Sequence, residues 1–285
     1  MEQVKKEAAK QGITIKIMEF SDYVTPDVAL SNKEIDMNSY QHKPYMDNLV
    51  KDKGLKIVSI GQTVVAPIGL YSHKIKSLDE VKDGMTVAVP NDPTNGARGL
   101  LLLQKAGFIK IKDGVKYPTP QDITDNPKHL QIKELEAAQI PRSLDDVDFA
   151  AINTNYAMDA GLNPVSDALL REDKDSPYAN ILAVHEDDKD NPTLKKIVEI
   201  YNSDVIKKYI ENHYKGALTG ERKQTSPTKH TRFVGLIVCQ TGGITTRASG
   251  LIFLLQTSNF LFLYTFFPSS ISFRHLSCLP MISSM

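Results

Sequence analysis

Residues 86–107 read TVAVPNDPTNGARGLLLLQKAG, and they indicate a buried β-strand that leads directly into an α-helix. Residues 86–89 are apolar and rich in β-branched side chains, which is typical of a strand inside a sheet. Asp92 is a favourable N-cap, and Pro93 then occupies the first helical position, where its missing N–H costs nothing. The leucine run continues the helix as far as Gly107, a favourable helix stop.

This strand-to-helix corner is a candidate anion site. The first turn of such a helix points unpaired N–H groups and the positive end of the helix dipole at one place. Arg98 follows about one turn later and adds a cation that can hold a carboxylate through two hydrogen bonds. The segment has neither GxxxxGK nor GxGxxG, so it carries no nucleotide-binding loop. These residues alone leave two interpretations open: an anion-binding corner, or an ordinary turn with an exposed arginine.

The pattern around this corner alternates between strands and helices. Residues 13–20 alternate as a strand, residues 121–126 indicate a helix, and residues 192–214 indicate one long helix. Such an alternation predicts an α/β fold with a mostly parallel sheet. The number of helical crossover connections is larger than one compact sheet needs, and a glycine-containing link lies near residue 84. Together they predict two lobes. Ligands of such folds bind where strand ends face a crevice.

The composition separates the chain into two parts. The 285 residues carry 34 basic and 34 acidic side chains, but residues 222–285 hold six of the basic and none of the acidic ones. Residues 1–221 therefore have a net charge of −6, which argues against nucleic-acid binding. Both cysteines, Cys239 and Cys278, also lie after Glu221, so the first part has no disulfide framework and no thiol chemistry.

The two ends of the chain are unusual for an α/β protein. Residues 248–273 are uncharged, and residues 251–267 approach the length that spans a bilayer. We interpret residues 218–285 as a tail outside the fold that is disordered; a membrane-like apolar segment is the alternative. At the other end, the sequence begins with a helix that no strand precedes, and no export signal is evident. We therefore expect the chain to be truncated at its N-terminus.

Several polar side chains follow predicted strands. Tyr40 and His42 lie in a loop before a helix, where they form either a pocket lip or a packed loop. Asn153 can offer both a hydrogen-bond donor and a hydrogen-bond acceptor to a zwitterionic ligand. The alternative is that its side chain only caps a helix. Asn180 lies near another strand and could reach the same crevice, with a simple turn as the alternative. No HExxH, CxxC or GxSxG motif and no metal-binding cluster accompanies them, which disfavours a metal, a cofactor or catalysis.

Taken together, these segments resemble the methionine-binding lipoproteins of bacterial ABC importers, the NlpA-type solute-binding family. The resemblance covers residues 2 to about 217, and several motifs in the same order carry it: Asp22-Tyr-Val24, Tyr40-Gln-His-Lys-Pro-Tyr45, Val89-Pro-Asn-Asp-Pro-Thr-Asn95 with Arg98, Pro141-Arg-Ser-Leu-Asp-Asp146, Ile152-Asn-Thr154 and Ser176-Pro-Tyr178. The tail has no counterpart in that family.

The resemblance implies a two-lobed α/β fold of the type II periplasmic-binding-protein kind, with a ligand crevice between the lobes. Lobe 1 would comprise residues 1–83 and 184–217, without the family's first strand, and lobe 2 residues 84–183. Arg98 would hold the ligand carboxylate, and Asn153 and Asn180 its ammonium and carboxylate groups. Three side chains would enclose the thioether: Tyr23, Tyr40 and His42.

The implied function is non-enzymatic binding of methionine, L or D, or a close relative, and its delivery to a membrane permease. The protein would act as a monomer in the cell envelope. The family's export signal and lipid-bearing cysteine are absent from this sequence. Two alternatives are an enzyme on the same scaffold, with His42 as its acid or base, and a non-functional remnant of a gene.

Overall fold

The chain divides into two units, Met1–Arg222 and Lys223–Met285. The computed structural model describes residues 1–173, 176–220, 252–257, 260–265 and 278–279. The strands of the second unit are antiparallel to one another. Otherwise the predicted tail, with its expected disorder or membrane-like segment, lies outside the described residues. Among those that are described, no helix has the length and apolar character needed to cross a membrane.

The described residues form helices and strands that alternate along the first unit. The α-helices are α1 (Glu2–Ala9), α2 (Thr25–Ser31), α3 (Lys43–Lys53), α4 (Pro93–Lys105), α5 (Thr154–Asp159), α6 (Pro192–Tyr201) and α7 (Asp204–Tyr214). The strands are β1 (Ile57–Val65), β2 (Gly69–Tyr71), β3 (Thr86–Pro90), β4 (Lys110–Ile111), β5 (Ile123–Asp125), β6 (Gln131–Leu135), β7 (Phe149–Ile152), β8 (Leu170–Arg171), β9 (Ala179–His185), β10 (Thr219–Gly220), β11 (Ile252–Thr257), β12 (Phe260–Thr265) and β13 (Cys278–Leu279). Short 3-10 helices lie at Leu78–Glu80, Pro120–Asp122, Ile140–Ser143 and Glu186–Asp188.

The largest sheet has five strands in the order β6-β3-β7-β2-β8. Strand β3 runs parallel to both of its neighbours, whereas β2 pairs antiparallel with β7 and with β8. The prediction of a mostly parallel sheet is therefore wrong, because two of the four pairings in this sheet, those of β2 with β7 and with β8, are antiparallel. The core of this sheet is fully buried and includes Leu70, Val87 and Phe149.

A second sheet has the order β10-β1-β9, with both pairings antiparallel. Helices α1, α6 and α7 pack together beside it, and their buried side chains form one cluster with Val64 and Val184 of the sheet. The helix predicted over residues 192–214 is divided in two. Asn202 ends α6, and the Ser203 hydroxyl then caps α7 by accepting from the Ile206 N–H. A serine that bonds to the backbone in this way competes with continuation of the preceding helix.

The predicted strand-to-helix corner is confirmed in detail. The Asp92 side chain accepts from the N–H groups of Thr94 and Asn95, and Pro93 opens α4. Gly96 lies so close to β3 that a Cβ atom there would meet the Pro90 carbonyl oxygen at 2.6 Å. The helix therefore begins directly against the end of the strand. Gly107 follows α4 with a φ of +79°, as expected of a helix stop.

Two predicted elements are wrong. The helix predicted over residues 121–126 is a 3-10 turn followed by β5, which pairs with β4. Residues 13–20 do not form a ladder, although their side chains alternate between half-buried and exposed up to Met18 as a strand predicts. Alternation specifies which side chains face the core, but a strand also needs a neighbouring backbone edge to bond. The next segment, at Asn38, makes only an isolated bridge with Ala183 of β9.

Candidate functional site

The six site residues predicted from the sequence come together around one small cavity of about 30 Å³. They are Tyr23, Tyr40, His42, Arg98, Asn153 and Asn180. The elements that carry them are far apart in the sequence. Arg98 lies in the second turn of α4, Asn153 is the N-cap of α5 directly after β7, His42 is the N-cap of α3, and Asn180 belongs to β9.

Arg98 is a buried cation that donates four hydrogen bonds within the protein and so retains one of its five N–H groups. Its side chain is 2% exposed, so the alternative of an exposed arginine at an ordinary turn is wrong. Nε donates to Glu172 Oε1 at 2.9 Å, and Nη2 donates to Glu172 Oε2 at 2.5 Å and to the Ala66 carbonyl at 3.0 Å. The guanidinium also stacks on the Tyr178 ring, 4.6 Å from its centroid. Glu172 therefore balances the charge of Arg98 and fixes its plane.

Asn95 joins three of the predicted residues. Its Oδ1 accepts from Arg98 Nη1 at 3.1 Å, from Asn153 Nδ2 at 3.0 Å and from His42 Nε2 at 3.2 Å. Its own Nδ2 donates to Asp92, the N-cap of α4. Because one amide oxygen receives donors from α3, α4 and α5, these three elements are held in a fixed arrangement around the cavity.

His42 is neutral and has both ring nitrogens occupied. Nδ1 accepts from the Tyr45 N–H at 3.1 Å, so the network assigns the ring proton to Nε2, which donates to Asn95. Burial lowers the pKa of His42 to about 3, and the nearby Arg98 charge acts in the same direction. The imidazole therefore has no free lone pair with which to accept a proton from a substrate.

The two predicted asparagines differ in their unused capacity. Asn180 Nδ2 donates to the Tyr40 carbonyl at 3.0 Å, which ties β9 to the loop before α3. Asn153 Nδ2 is used by Asn95, whereas its buried Oδ1 has no hydrogen-bond partner among the described residues. An unsatisfied amide oxygen beside a cavity is a costly feature that a donor on a ligand would relieve.

Tyrosines form the opposite wall of the cavity. The Tyr23 ring lies 5.7 Å from Tyr40 and 5.9 Å from Tyr45, and 4.8 Å from Tyr156 (centroid distances). The Tyr40 hydroxyl donates to the Tyr23 carbonyl, and the Tyr23 hydroxyl donates to Asn155 Oδ1 at 2.6 Å. Burial raises the pKa of the Tyr23 and Tyr40 hydroxyls well above their ordinary value, so both rings are neutral. Aromatic walls of this kind suit apolar or sulfur-containing groups.

A buried carboxyl lies behind this wall. Asp27 Oδ1 accepts from Asn38 Nδ2 at 2.7 Å and from Gln41 Nε2 at 2.5 Å. Oδ2 has no partner within the described part of the chain. Burial raises the pKa of Asp27 to about 6, although its hydrogen bonds act in the opposite direction.

The sequence did not single out three contacts of the site: Asn95, Glu172 and Tyr178. The spacing of Asn95 and Arg98, three residues apart on a predicted helix, places both on one face and could have indicated that they act together. No local pattern indicates that Glu172 or Tyr178 meets Arg98, because these contacts depend on the fold. Within the described residues, no group of three or more His, Cys, Asp or Glu side chains is placed to hold a metal ion.

The chain is similar to several known proteins. The D-methionine-binding lipoprotein MetQ of Salmonella typhi is 56% identical over 200 residues, which cover 69% of this chain and 74% of that protein. A nutrient binding protein from Burkholderia cenocepacia, solved with methionine bound, has a TM-score of 0.75 and 49% identity over 78% of this chain and 94% of its own. A periplasmic substrate-binding protein of an ABC transporter from Coxiella burnetii has a TM-score of 0.74 and 48% identity, over 77% of this chain and 94% of its own.

The predicted α/β fold of the periplasmic-binding-protein kind is confirmed by these structures. The sequence pattern of the family described as NlpA lipoprotein matches residues 1–220. With a match of this length, and with a relative that is 56% identical over 200 residues, the chain belongs to the NlpA lipoprotein family.

Proposed function

We propose that this protein binds methionine, or a closely similar amino acid, and delivers it to the membrane permease of an ABC importer. One observation carries the proposal: a buried guanidinium and an unpartnered amide oxygen, those of Arg98 and Asn153, border the same cavity. An α-amino acid carries one anionic and one cationic group, and it needs a donor and an acceptor of this kind. The relatives named for methionine support the same assignment.

In this proposal the ligand carboxylate is held by Arg98 and its ammonium group by Asn153 Oδ1, with Asn180 contributing to either group. The tyrosine wall and His42 enclose the side chain, where neutral aromatic rings suit a thioether. Hydrogen bonds to a charged group stabilise by roughly 1.5–3 kcal/mol each, so the polar end supplies much of the affinity.

The cavity must open before it binds such a ligand. A volume of about 30 Å³ is small beside the roughly 300–1,000 Å³ of pockets that hold small molecules. We propose that residues 1–83 and 184–217 form one lobe and residues 84–183 the other, and that they separate and close around the ligand as hinged binding proteins do. The closed form is then the one that the permease recognises. In keeping with its family, the protein would act as a monomer at the cell envelope.

We propose binding without catalysis, and the same contacts support this. Catalysis by His42 would need a free ring nitrogen, but Nδ1 and Nε2 are both engaged with Tyr45 and Asn95. The carboxylate that contacts Arg98, that of Glu172, is paired with it. Neither group is therefore placed to transfer a proton.

Isothermal calorimetry with L- and D-methionine tests the proposal. We expect Arg98→Lys to weaken binding about 10- to 100-fold, because lysine keeps the charge and loses the forked donor geometry. Arg171→Lys is the matched control. It makes the same arginine-to-lysine exchange one residue before Glu172, but the Arg171 side chain donates to the Gly216 carbonyl and not to Glu172. No heat with either enantiomer contradicts the proposed ligand. Equal affinities for Arg98→Lys and the control contradict the role of Arg98.

A further inference from the structure

Within the described part of the first unit, the chain passes twice between the three-stranded sheet and the five-stranded sheet. Residues 66–68 lead from β1 of the three-stranded sheet to β2 of the five-stranded sheet. Residues 172–178 lead back from β8 of the five-stranded sheet to β9 of the three-stranded sheet. A few residues in connections of this kind absorb the φ and ψ changes of a hinged closure. These two connections are therefore the candidate hinge.

The first connection is bonded to residues of the ligand site through two successive carbonyl groups. The Ala66 carbonyl accepts from Arg98 Nη2 at 3.0 Å. The Pro67 carbonyl accepts from the hydroxyl of Thr154, which directly follows Asn153. Ala66 and Thr154 also line the small cavity. The elements that carry the guanidinium and the unpartnered amide oxygen are therefore both attached to this connection.

Glu172 joins the two connections to each other. It is the first residue of the second connection, and its N–H donates to the carbonyl of Ile68 in the first connection at 3.0 Å. Its carboxylate oxygen Oε2 accepts from the Ile68 N–H at 3.1 Å. The Glu172 side chain is only 14% exposed and Ile68 is fully buried, so water competes little for these bonds. Since the same carboxylate accepts from Arg98, it links both connections to the guanidinium.

These bonds determine which donor of Arg98 remains for a ligand. A guanidinium has five N–H donors in one rigid plane. Three of them, on Nε and Nη2, are used by Glu172 and Ala66, and one on Nη1 is used by Asn95. The remaining donor is the second N–H of Nη1. Because the plane is rigid, it cannot turn to follow a ligand without lengthening its bonds to Glu172 and Ala66.

We propose that Glu172 is a positioning residue that couples the ligand carboxylate to the closed arrangement of the hinge. The inference rests on the proposed function, in which Arg98 holds that carboxylate. With ligand bound, one rigid group is held by the ligand at Nη1 and by both connections at Nε and Nη2, so carboxylate binding and closure favour the same orientation. Such coupling is reciprocal: the hinge contacts raise the affinity for the carboxylate, and the carboxylate disfavours opening of the hinge. The lobe boundaries then move to these two connections from residues 84 and 184.

A variant that conserves charge tests this coupling. Glu172→Asp keeps the carboxylate but shortens the side chain by one methylene, so it should no longer reach Arg98 and Ile68 together. Asp173→Glu is the matched control, because it also changes the length by one methylene at constant charge. Asp173 is 81% exposed and pairs with Lys105 at the surface.

Direct and displacement calorimetry give the affinities of the wild type and both variants for two ligands. One is L-methionine. The other is L-methioninol, which keeps the ammonium group and the thioether but has a neutral hydroxymethyl group in place of the carboxylate. Glu172→Asp should lose at least about tenfold more affinity for methionine than for methioninol, because only methionine uses the positioned donor. Asp173→Glu should stay within about twofold of the wild type for both ligands.

Each other outcome is decisive. Equal losses for the two ligands would show that Glu172 only supports the fold, and they overturn the coupling. A gain in methionine affinity would show that Glu172 competes with the ligand for Arg98, and it overturns the coupling too. If the wild type gives no heat with methionine, the proposed function fails and the coupling fails with it. A wild type that binds methionine separates the two cases.

Hydrogen exchange in the wild type decides the question even if Glu172→Asp does not fold. Saturating methionine should slow exchange of the Ile68 and Glu172 N–H groups at least about tenfold, since both bond across the two connections. Lys112 is the control, because its N–H donates to the Asp122 carbonyl in the small sheet of β4 and β5. Its exchange should change by less than about twofold. Unchanged exchange at Ile68 and Glu172 overturns the coupling.

Discussion

Two buried titratable groups should give the stability of this protein opposing pH dependences. Burial holds the pKa of His42 at about 3, below its ordinary value of 6.5. As the pH falls through 6.5, His42 binds a proton in the unfolded chain but not in the folded chain, so the free energy of unfolding decreases. Burial holds the pKa of Asp27 at about 6, above its ordinary 3.8. The folded chain here takes up its proton first, so stability is gained as the pH falls from 6 towards 3.8.

The two contributions oppose each other between pH 7 and pH 5. Proton linkage gives a loss of about 2 kcal/mol from His42 over this interval. The corresponding gain from Asp27 is about 1 kcal/mol. Substitutions that retain a hydrogen-bond acceptor at each position separate the two effects. Asp27→Asn keeps an acceptor for Asn38 and Gln41, and His42→Asn keeps an acceptor for the Tyr45 N–H.

Urea titrations of the two variants and the wild type at pH 7, 6 and 5 measure these contributions. Between pH 7 and pH 5, the stability of Asp27→Asn should fall by about 1 kcal/mol more than that of the wild type, and the stability of His42→Asn should fall by about 2 kcal/mol less. The change with pH is the readout, so a constant offset in stability does not affect it. If both variants follow the wild-type pH profile within about 0.5 kcal/mol, the assigned pKa shifts are refuted.

Four further substitutions test the packing and capping of the first unit by chemical denaturation. Leu103→Ala should lower the free energy of unfolding by about 2–5 kcal/mol, because this side chain is fully buried. Leu101 lies on the same helix but is 37% exposed, so Leu101→Ala should lower it by under about 1 kcal/mol. Equal losses would contradict the packing of α4. Gly96→Ala should cost about 1–3 kcal/mol, since its Cβ would meet Pro90. Ser203→Ala should cost about 1 kcal/mol by removing the cap of α7, and an unchanged stability would show that the cap is dispensable.

Local signals in the sequence were enough to predict the corner at β3 and α4. Asp92, Pro93 and Gly107 each have a preference that the neighbouring residues satisfy, so the strand, cap, helix and stop follow from about twenty residues. The chemistry of His42 and Asn153 could be inferred for the same reason, because each of them is the N-cap of a helix. That all of them meet around one cavity was implied only by the family resemblance.

Features that depend on distant partners could not be predicted in this way. The alternation of residues 13–20 fixed which side chains are half-buried, but the backbone partner that a strand requires is a property of the whole sheet. The apolar period of residues 192–214 continued through Ser203, which concealed the break between α6 and α7. The contact of Glu172 with Arg98 joins residues 74 positions apart, and no local pattern encodes it.

The Arg98–Glu172 pair also has a consequence for which ligands the site rejects. The buried Arg98 cation is paired with the buried Glu172 anion, so the two side chains together add no net charge beside the cavity. An amino acid with an uncharged side chain, whose own two charges also sum to zero, enters without leaving any charge unbalanced. Glutamate or lysine would bring a third, unmatched charge into a region walled by tyrosines, where desolvation costs several kcal/mol per ion. We therefore expect the proposed site to favour ligands of zero net charge, whatever the shape of their side chains.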